Sequence, residues 1–298
     1  MLLNNKISLS FFIKNILRQA LLIFLFANLI VLLKLYSPLV LVIPITIAVI
    51  LGTCIALLLA FRTNQAYDRW WEARTAWGAI VNDSRSLIRQ LQMFLTEEPD
   101  NESLLHSFVE RQCAWCFVLG DTLRGQDITD RLHKFLPLSD QQRVNRSTNK
   151  PNAILLDHGL AIRRLYQNQQ LTDFQMVQLS TTLNNLTDSM GRCERIKSTV
   201  FPRTYTFNMQ VFIYLFATIL PFCFDSIHYL LDVPLVTLLS SAFILIEKSA
   251  IQLQDPFENQ PTDTPMTTIA QKIEADLKSM TAYPTSPAKQ ITQTYYSL

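Results

Sequence analysis

The sequence predicts an all-α, polytopic membrane protein with four transmembrane helices and a large cytosolic helical region, and three observations carry that prediction. Gly supplies only 6 of 298 residues while 49% are hydrophobic, which disfavours the tight hairpins and phosphate-cradling loops that need glycine at positive φ. Charged residues reach only 17%, below the roughly 25% usual for soluble domains. The apolar residues are also gathered into separate stretches rather than spread along the chain. The 26 basic and 24 acidic residues nearly cancel, so no nucleic-acid partner is expected. No Gly-Lys-Ser/Thr sequence for nucleotide binding is present.

Ala20 to Leu33 reads ALLIFLFANLIVLL, and Leu39 to Phe61 reads LVLVIPITIAVILGTCIALLLAF, both without a charge. At about 1.5 Å per residue the second covers roughly 34 Å, slightly more than the roughly 30 Å hydrocarbon layer. The first extends at both ends, where Arg18 and Lys34 snorkel toward the interfaces. A cleaved signal peptide is disfavoured because a second apolar stretch follows at once and the first has no small-residue cleavage site. Two weaker spans lie at Val211 to Phe224 and Leu230 to Ile246, with Pro221 near the end of one and Pro234 near the start of the other.

Basic residues set the expected orientation. Lys6, Lys14 and Arg18 precede the first span; Arg62, Arg69 and Arg74 follow the second; Arg192, Arg195, Lys197 and Arg203 precede the third. The positive-inside tendency therefore puts the N-terminus, the middle region and the C-terminus in the cytoplasm of a cell inner-membrane protein, and four spans satisfy the parity. The expected divisions are 1–61 with the first two spans, 62–206 as the cytosolic helical region, 207–247 with the last two spans, and 248–298 as a C-terminal segment and tail.

Between residues 62 and 200 the periodicity is helical. Trp70, Trp77, Ile80, Val81, Leu87, Ile88 and Leu91 recur every three or four positions in this part. Neither Pro nor Gly interrupts Phe61 to Trp77, so one helix is expected to run from the bilayer into the cytosol over more than about 50 Å. Asn145 to Asn152, NRSTNKPN, reads as a loop. Pro202 suits a first helical turn leading into the third span, and the polar stretch from Ser279 to Leu298 reads as a loosely ordered tail.

Catalytic constellations are sparse. Cys113 and Cys116 form a CAWC, but Cys54, Cys193 and Cys223 lie singly, so two reduced thiols on one helix face are expected, without a zinc or redox site. His106, His133, His158 and His228 lack ligand spacing. No cofactor, no metal and no enzymatic activity are expected. The charges Arg62, Asp68, Arg69, Glu72 and Arg74 crowd the exit of the second span, three or four apart, where opposite signs can pair. Trp70, Trp71 and Trp77 interleave with them and imply a packed environment in which ions need partners.

Ile43 to Trp77 resembles the bestrophins: an Ile-Pro near the start of the span, a small residue then Phe at its end, and Arg-Trp-Trp beyond. Gly191 to Thr206, GRCERIKSTVFPRTYT, is similar to the bacterial members' Cys-Glu-Arg-Ile and Pro-x-x-Tyr-Thr pattern, and Gln254 to Met266 carries the family's Pro-Phe turn. The resemblance implies a bestrophin-like homopentamer, an ion channel whose second helices line a central pore among membrane lipids. It places the apolar neck on Thr53, Leu57 and Phe61 and a second, cytosolic constriction on Phe201. Spacing agrees with the neck, since residues four apart stack along one face of a helix. A ring of Leu or Phe offers an ion no ligands, so it gates by dewetting and does not select. Thr53 departs from the larger apolar residue usual at the first ring, and its hydroxyl makes that end wetter.

Animal bestrophins bind Ca²⁺ with acidic residues after the Pro-Phe turn. Here Pro256-Phe257 is followed by only two separated carboxylates, Glu258 and Asp263, too few for the roughly six to eight oxygens that Ca²⁺ takes. Calcium-independent conductance follows. The sign of the conducted ion leans slightly to cations, with chloride nearly as well supported. Arg203 is a candidate pore-side charge, although two residues of helix turn it about 200° from Phe201. A nonconducting scaffold that recruits cytosolic partners is the competing reading. A membrane enzyme is disfavoured because the spans hold almost no ionisable group.

Overall fold

The structure, a computed structural model, describes residues 9–36, 42–96, 99–199, 202–224 and 229–281. These form ten α-helices: α1 (Leu9–Tyr36), α2 (Ile45–Phe94), α3 (Pro99–Leu123), α4 (Thr129–Phe135), α5 (Leu138–Arg146), α6 (Lys150–Gln167), α7 (Asp173–Ser198), α8 (Arg203–Ile219), α9 (Tyr229–Gln254) and α10 (Met266–Met280). Among the described residues there is no strand. Four helices, containing the stretches Lys14–Tyr36, Ile45–Phe94, Thr204–Cys223 and Leu231–Gln254, are long and apolar enough to cross a membrane. The protein is an all-α, four-span membrane protein.

Packing divides the chain into two compact units, the described parts of Asn4–Arg69 with Val200–Asp255, and those of Trp70–Thr199 with Pro256–Leu298. The first holds the spans. Ile23, Ala27 and Val31 of α1, four apart, close a core with Ile55 and Leu59 of α2, Met209, Ile213 and Phe216 of α8, and Val236 and Ile244 of α9. This is the period of one helical face. Gly52 lets α2 approach α8 closely, because a Cβ there would lie 3.2 Å from Cε2 of Phe216. The Lys34 ammonium, near the end of α1, donates to the carbonyl oxygens of Pro221 (2.9 Å) and Phe224 (2.6 Å). It thereby satisfies acceptors that the end of α8 and the 3-10 turn Leu220–Cys223 leave without a helical partner.

The second unit is built on the polar half of the chain. Trp77, Ile80, Leu87, Ile88 and Leu91 of α2 are fully buried against Phe108, Cys113, Trp115 and Cys116 of α3 and Ile269, Ile273 and Leu277 of α10. Most of the apolar series read from the sequence is thus its core, with Val81 packed at the edge. Two residues of the cysteine pair are both buried, and burial pushes the Cys116 thiol up to about 12. Burial also raises the Cys193 thiol to about 12. These are core residues, and among the described residues no group of three metal-ligating side chains occurs.

Within the second apolar stretch the described helix starts at Ile45, directly after Pro44, and residues 42–44 are not helical. The expected loop at Asn145 to Asn152 shrinks to Ser147–Asn149, since α5 runs through Arg146 and α6 starts at Lys150. Asn149 caps α6 by accepting from the Asn152 backbone N–H at 3.0 Å, with Pro151 in the first turn, so residues that looked like loop signals are helix-start signals. The expected tail falls largely outside the described residues, apart from Ser279 and Met280 at the end of α10 and Thr281.

Candidate functional site

Helix α2 runs without interruption for 50 residues, about 75 Å at 1.5 Å per residue. Its membrane half has two faces. Ala48, Ile55, Leu59, Arg62 and Ala66 are buried, at spacings of three, four and seven that keep them on one side. Thr53, Leu57 and Phe61 lie on the other, all exposed, Leu57 at 59% and Phe61 at 57%. The sequence-expected neck residues therefore share an apolar stripe turned away from the packing of their own subunit. The Thr53 hydroxyl donates to the Val49 carbonyl at 2.8 Å, so its hydrogen is engaged within the helix and only the oxygen lone pairs and the methyl group remain to face outward. Phe201 lies outside the described residues, as does the side chain of Arg203, whose backbone opens α8.

Directly after the stripe, Arg62 turns the opposite way. It is 1% exposed, its Nη1 lies 3.4 Å from Oε1 of Glu247 on α9, and its Nη2 donates to Oγ1 of Thr206 on α8 at 3.0 Å. In the sequence Arg62 is one of several charges flanking the span. The signal that marks it is positional: Arg62 follows Phe61 and Glu247 follows Ile246, so each is the first ionisable residue beyond an apolar span and each needs a partner at the edge of lipid.

The exit charges do not pair along α2 as their spacing allows. Arg69 lies 3.8 Å from Asp255, and Glu72 pairs with Arg195 of α7 at 2.5 Å. Tertiary partners replace the helical neighbours. In the second unit these contacts join the three stretches that carry the family resemblance. Glu72 meets Arg195, Lys197 meets Glu258 at 2.6 Å, and Trp70 Nε1 donates to the Thr262 carbonyl at 3.1 Å. Cys193 and Ile196 of the same stretch are buried in the core.

In the turn after Pro256-Phe257, both carboxylates already have partners. Glu258 holds Lys197. Asp263, 1% exposed, accepts at Oδ2 from the Gln260 backbone N–H at 3.1 Å. Asn259, directly before Gln260, takes φ of 65°, a left-handed conformation that Asn tolerates. Burial pushes the Asp263 carboxyl upward, and the backbone hydrogen bond from Gln260 opposes that shift. The loop supplies hydrogen-bond donors where a cation would need oxygen ligands.

A model of the bacterial and fungal bestrophin protein family matches residues 6–279. The chain belongs to the bestrophin family. This bestrophin is 37% identical over 253 residues to the Escherichia coli K12 protein named voltage-dependent anion channel-forming protein YneE, covering 84% of this chain and 81% of that one. It is 31% identical over 242 residues to a Nostoc protein named voltage-dependent anion channel-forming protein alr2987, covering 80% and 78%. Among solved structures, a bacterial bestrophin homologue from Klebsiella pneumoniae superposes with a TM-score of 0.85 at 30% identity, over 91% of this chain and 100% of that one. Family membership makes this bestrophin a membrane channel protein and not an enzyme.

Proposed function

We propose that this bestrophin forms a homopentameric channel in the cell inner membrane, with both termini in the cytoplasm, and that it conducts small monovalent ions past a neck made by Thr53, Leu57 and Phe61. The observation that carries the reading is the apolar stripe of α2, exposed on the face opposite Ile55, Leu59 and Arg62. In a monomer such a stripe would face lipid. Around a five-fold axis the same stripe from five subunits forms three successive rings. Narrow rings of Leu and Phe dewet and block, and a small widening readmits water and ions, so the neck acts as a gate. The family resemblance assigns a second constriction on the cytosolic path to Phe201 and makes Arg203 a candidate pore-side charge.

The neck carries no charge and does not choose the sign of the ion. Monovalent cations are the first reading. Anions such as chloride are the second, and it is favoured by the names of the YneE and alr2987 relatives. Planar-bilayer recording of the purified oligomer tests the proposal: discrete currents support it, whereas intact oligomers that pass no current support the scaffold reading. Reversal potentials under a salt gradient give the sign.

A further inference from the structure

The stripe that carries Thr53, Leu57 and Phe61 does not end at Phe61. At about 100° per residue, a residue seven positions beyond Phe61 or eleven beyond Leu57 returns to within about 20° of the same direction. That residue is Asp68. Helix α2 is continuous through this stretch, with neither Pro nor Gly between Thr53 and Trp77 to change the register, and Asp68 lies about 10 Å below Phe61 along the helix axis. Its side chain is exposed and, among the described residues, makes no ion pair and no side-chain hydrogen bond.

The charges near Asp68 are engaged elsewhere. Arg62, five residues after Leu57 and so turned about 140° from it, is buried against Glu247 and Thr206. Arg69 lies near Asp255. Asn64, one turn after Phe61 on the exposed side, is neutral. Among the described residues of α2 from Ile45 to Arg69, Asp68 is therefore the acidic side chain on the neck-bearing face, and Glu72, one turn further along that face, is paired with Arg195.

We propose that Asp68 is a specificity-determining residue, and that five copies form a carboxylate ring at the cytosolic mouth of the neck that draws monovalent cations and repels anions. This rests on the channel reading above. Like charges ringed around a narrow, low-dielectric mouth focus the field and raise the local counter-ion concentration. The effect acts over a Debye length, about 10 Å at 0.1 M salt and about 3 Å at 1 M, so it should be strong in dilute salt and weak in concentrated salt.

The test is the reversal potential of the purified full-length channel in planar bilayers under a tenfold KCl gradient, for the wild type, Asp68→Asn and Asp68→Lys. The wild type should reverse on the potassium side. Asp68→Asn should lower the potassium-to-chloride permeability ratio at least threefold near 0.1 M and much less near 1 M, and Asp68→Lys should move the reversal toward chloride. If Asp68→Lys fails to assemble, the near-isosteric, exposed Asp68→Asn carries the test. Wild-type reversal at the chloride equilibrium, or an Asp68→Asn ratio equal to wild type at low salt, overturns the assignment while leaving a channel. A wild-type oligomer that conducts nothing overturns the channel reading itself, and this inference with it.

Discussion

The Arg62 guanidinium and the Glu247 carboxylate, 185 residues apart in sequence, meet at 3.4 Å with side chains only 1% and 5% exposed. The pair joins α2, immediately after Phe61, to α9, and Thr206 adds α8. Removing one partner of a buried pair leaves an uncompensated charge, at a cost of about 3–5 kcal/mol, whereas replacing both with apolar residues is often neutral. Arg62→Met and Glu247→Leu singly should each lower the thermal midpoint in detergent markedly, and the double variant should recover most of the loss. Additive single and double losses would show that the two residues act independently.

Leu57 and Phe61 are exposed in the subunit, so truncating them opens no cavity in its core. Leu57→Ala and Phe61→Ala should therefore assemble and melt like the wild type, within about 0.5 kcal/mol as for surface changes. Their single-channel records should show open probability or conductance raised severalfold. Unchanged currents would mean that these side chains do not line the path.

Asp263 is buried and accepts from the Gln260 backbone N–H of its own turn. Asp263→Ala leaves that N–H without its acceptor and should destabilise the protein by about 1–3 kcal/mol. Currents should persist unchanged when calcium is removed with a chelator. A reversible loss of current on chelation, restored by Ca²⁺, would contradict the reading that this turn is closed by hydrogen bonds.

His158 is fully buried, stacked on Phe108 with ring centroids 5.3 Å apart. Neither ring nitrogen has a hydrogen-bond partner among the described residues. Burial, helped by the nearby Arg111 charge, holds its pKa well below the ordinary value of 6.5. The unfolded chain therefore takes up a proton below about pH 6.5 that the folded chain refuses, and stability falls as pH drops through that window by up to about 1.4 kcal/mol per unit. Thermal midpoints from pH 7.5 to 5 should decline less steeply for His158→Leu than for the wild type. Parallel curves would show that other groups set the acid limit.

Much of this architecture was legible because helices and spans are written locally. The four apolar stretches, the uninterrupted run from Phe61 to Trp77 and the buried series from Trp77 to Leu91 depend on composition and period alone. The shared face of Thr53, Leu57 and Phe61 was legible for the same reason, since positions four apart on a helix share a face whatever surrounds them. The partners of Arg62, Arg69 and Glu72 were not, because Glu247, Asp255 and Arg195 reach them only through tertiary packing. Local spacing offered Asp68, Arg69 and Glu72 one another, and the fold chose otherwise. The segment at Asn145 to Asn152 misled for a related reason: Asn and Pro favour turns and helix starts alike, and here they start α6.

Of the five cysteines, Cys113, Cys116 and Cys193 are sealed in the packed interior, whereas Cys54 is exposed on α2, adjacent to Thr53. The native chain thus carries a chemical handle one residue from the proposed first ring. A maleimide dye or spin label placed there would report movement of α2 without any engineered mutation.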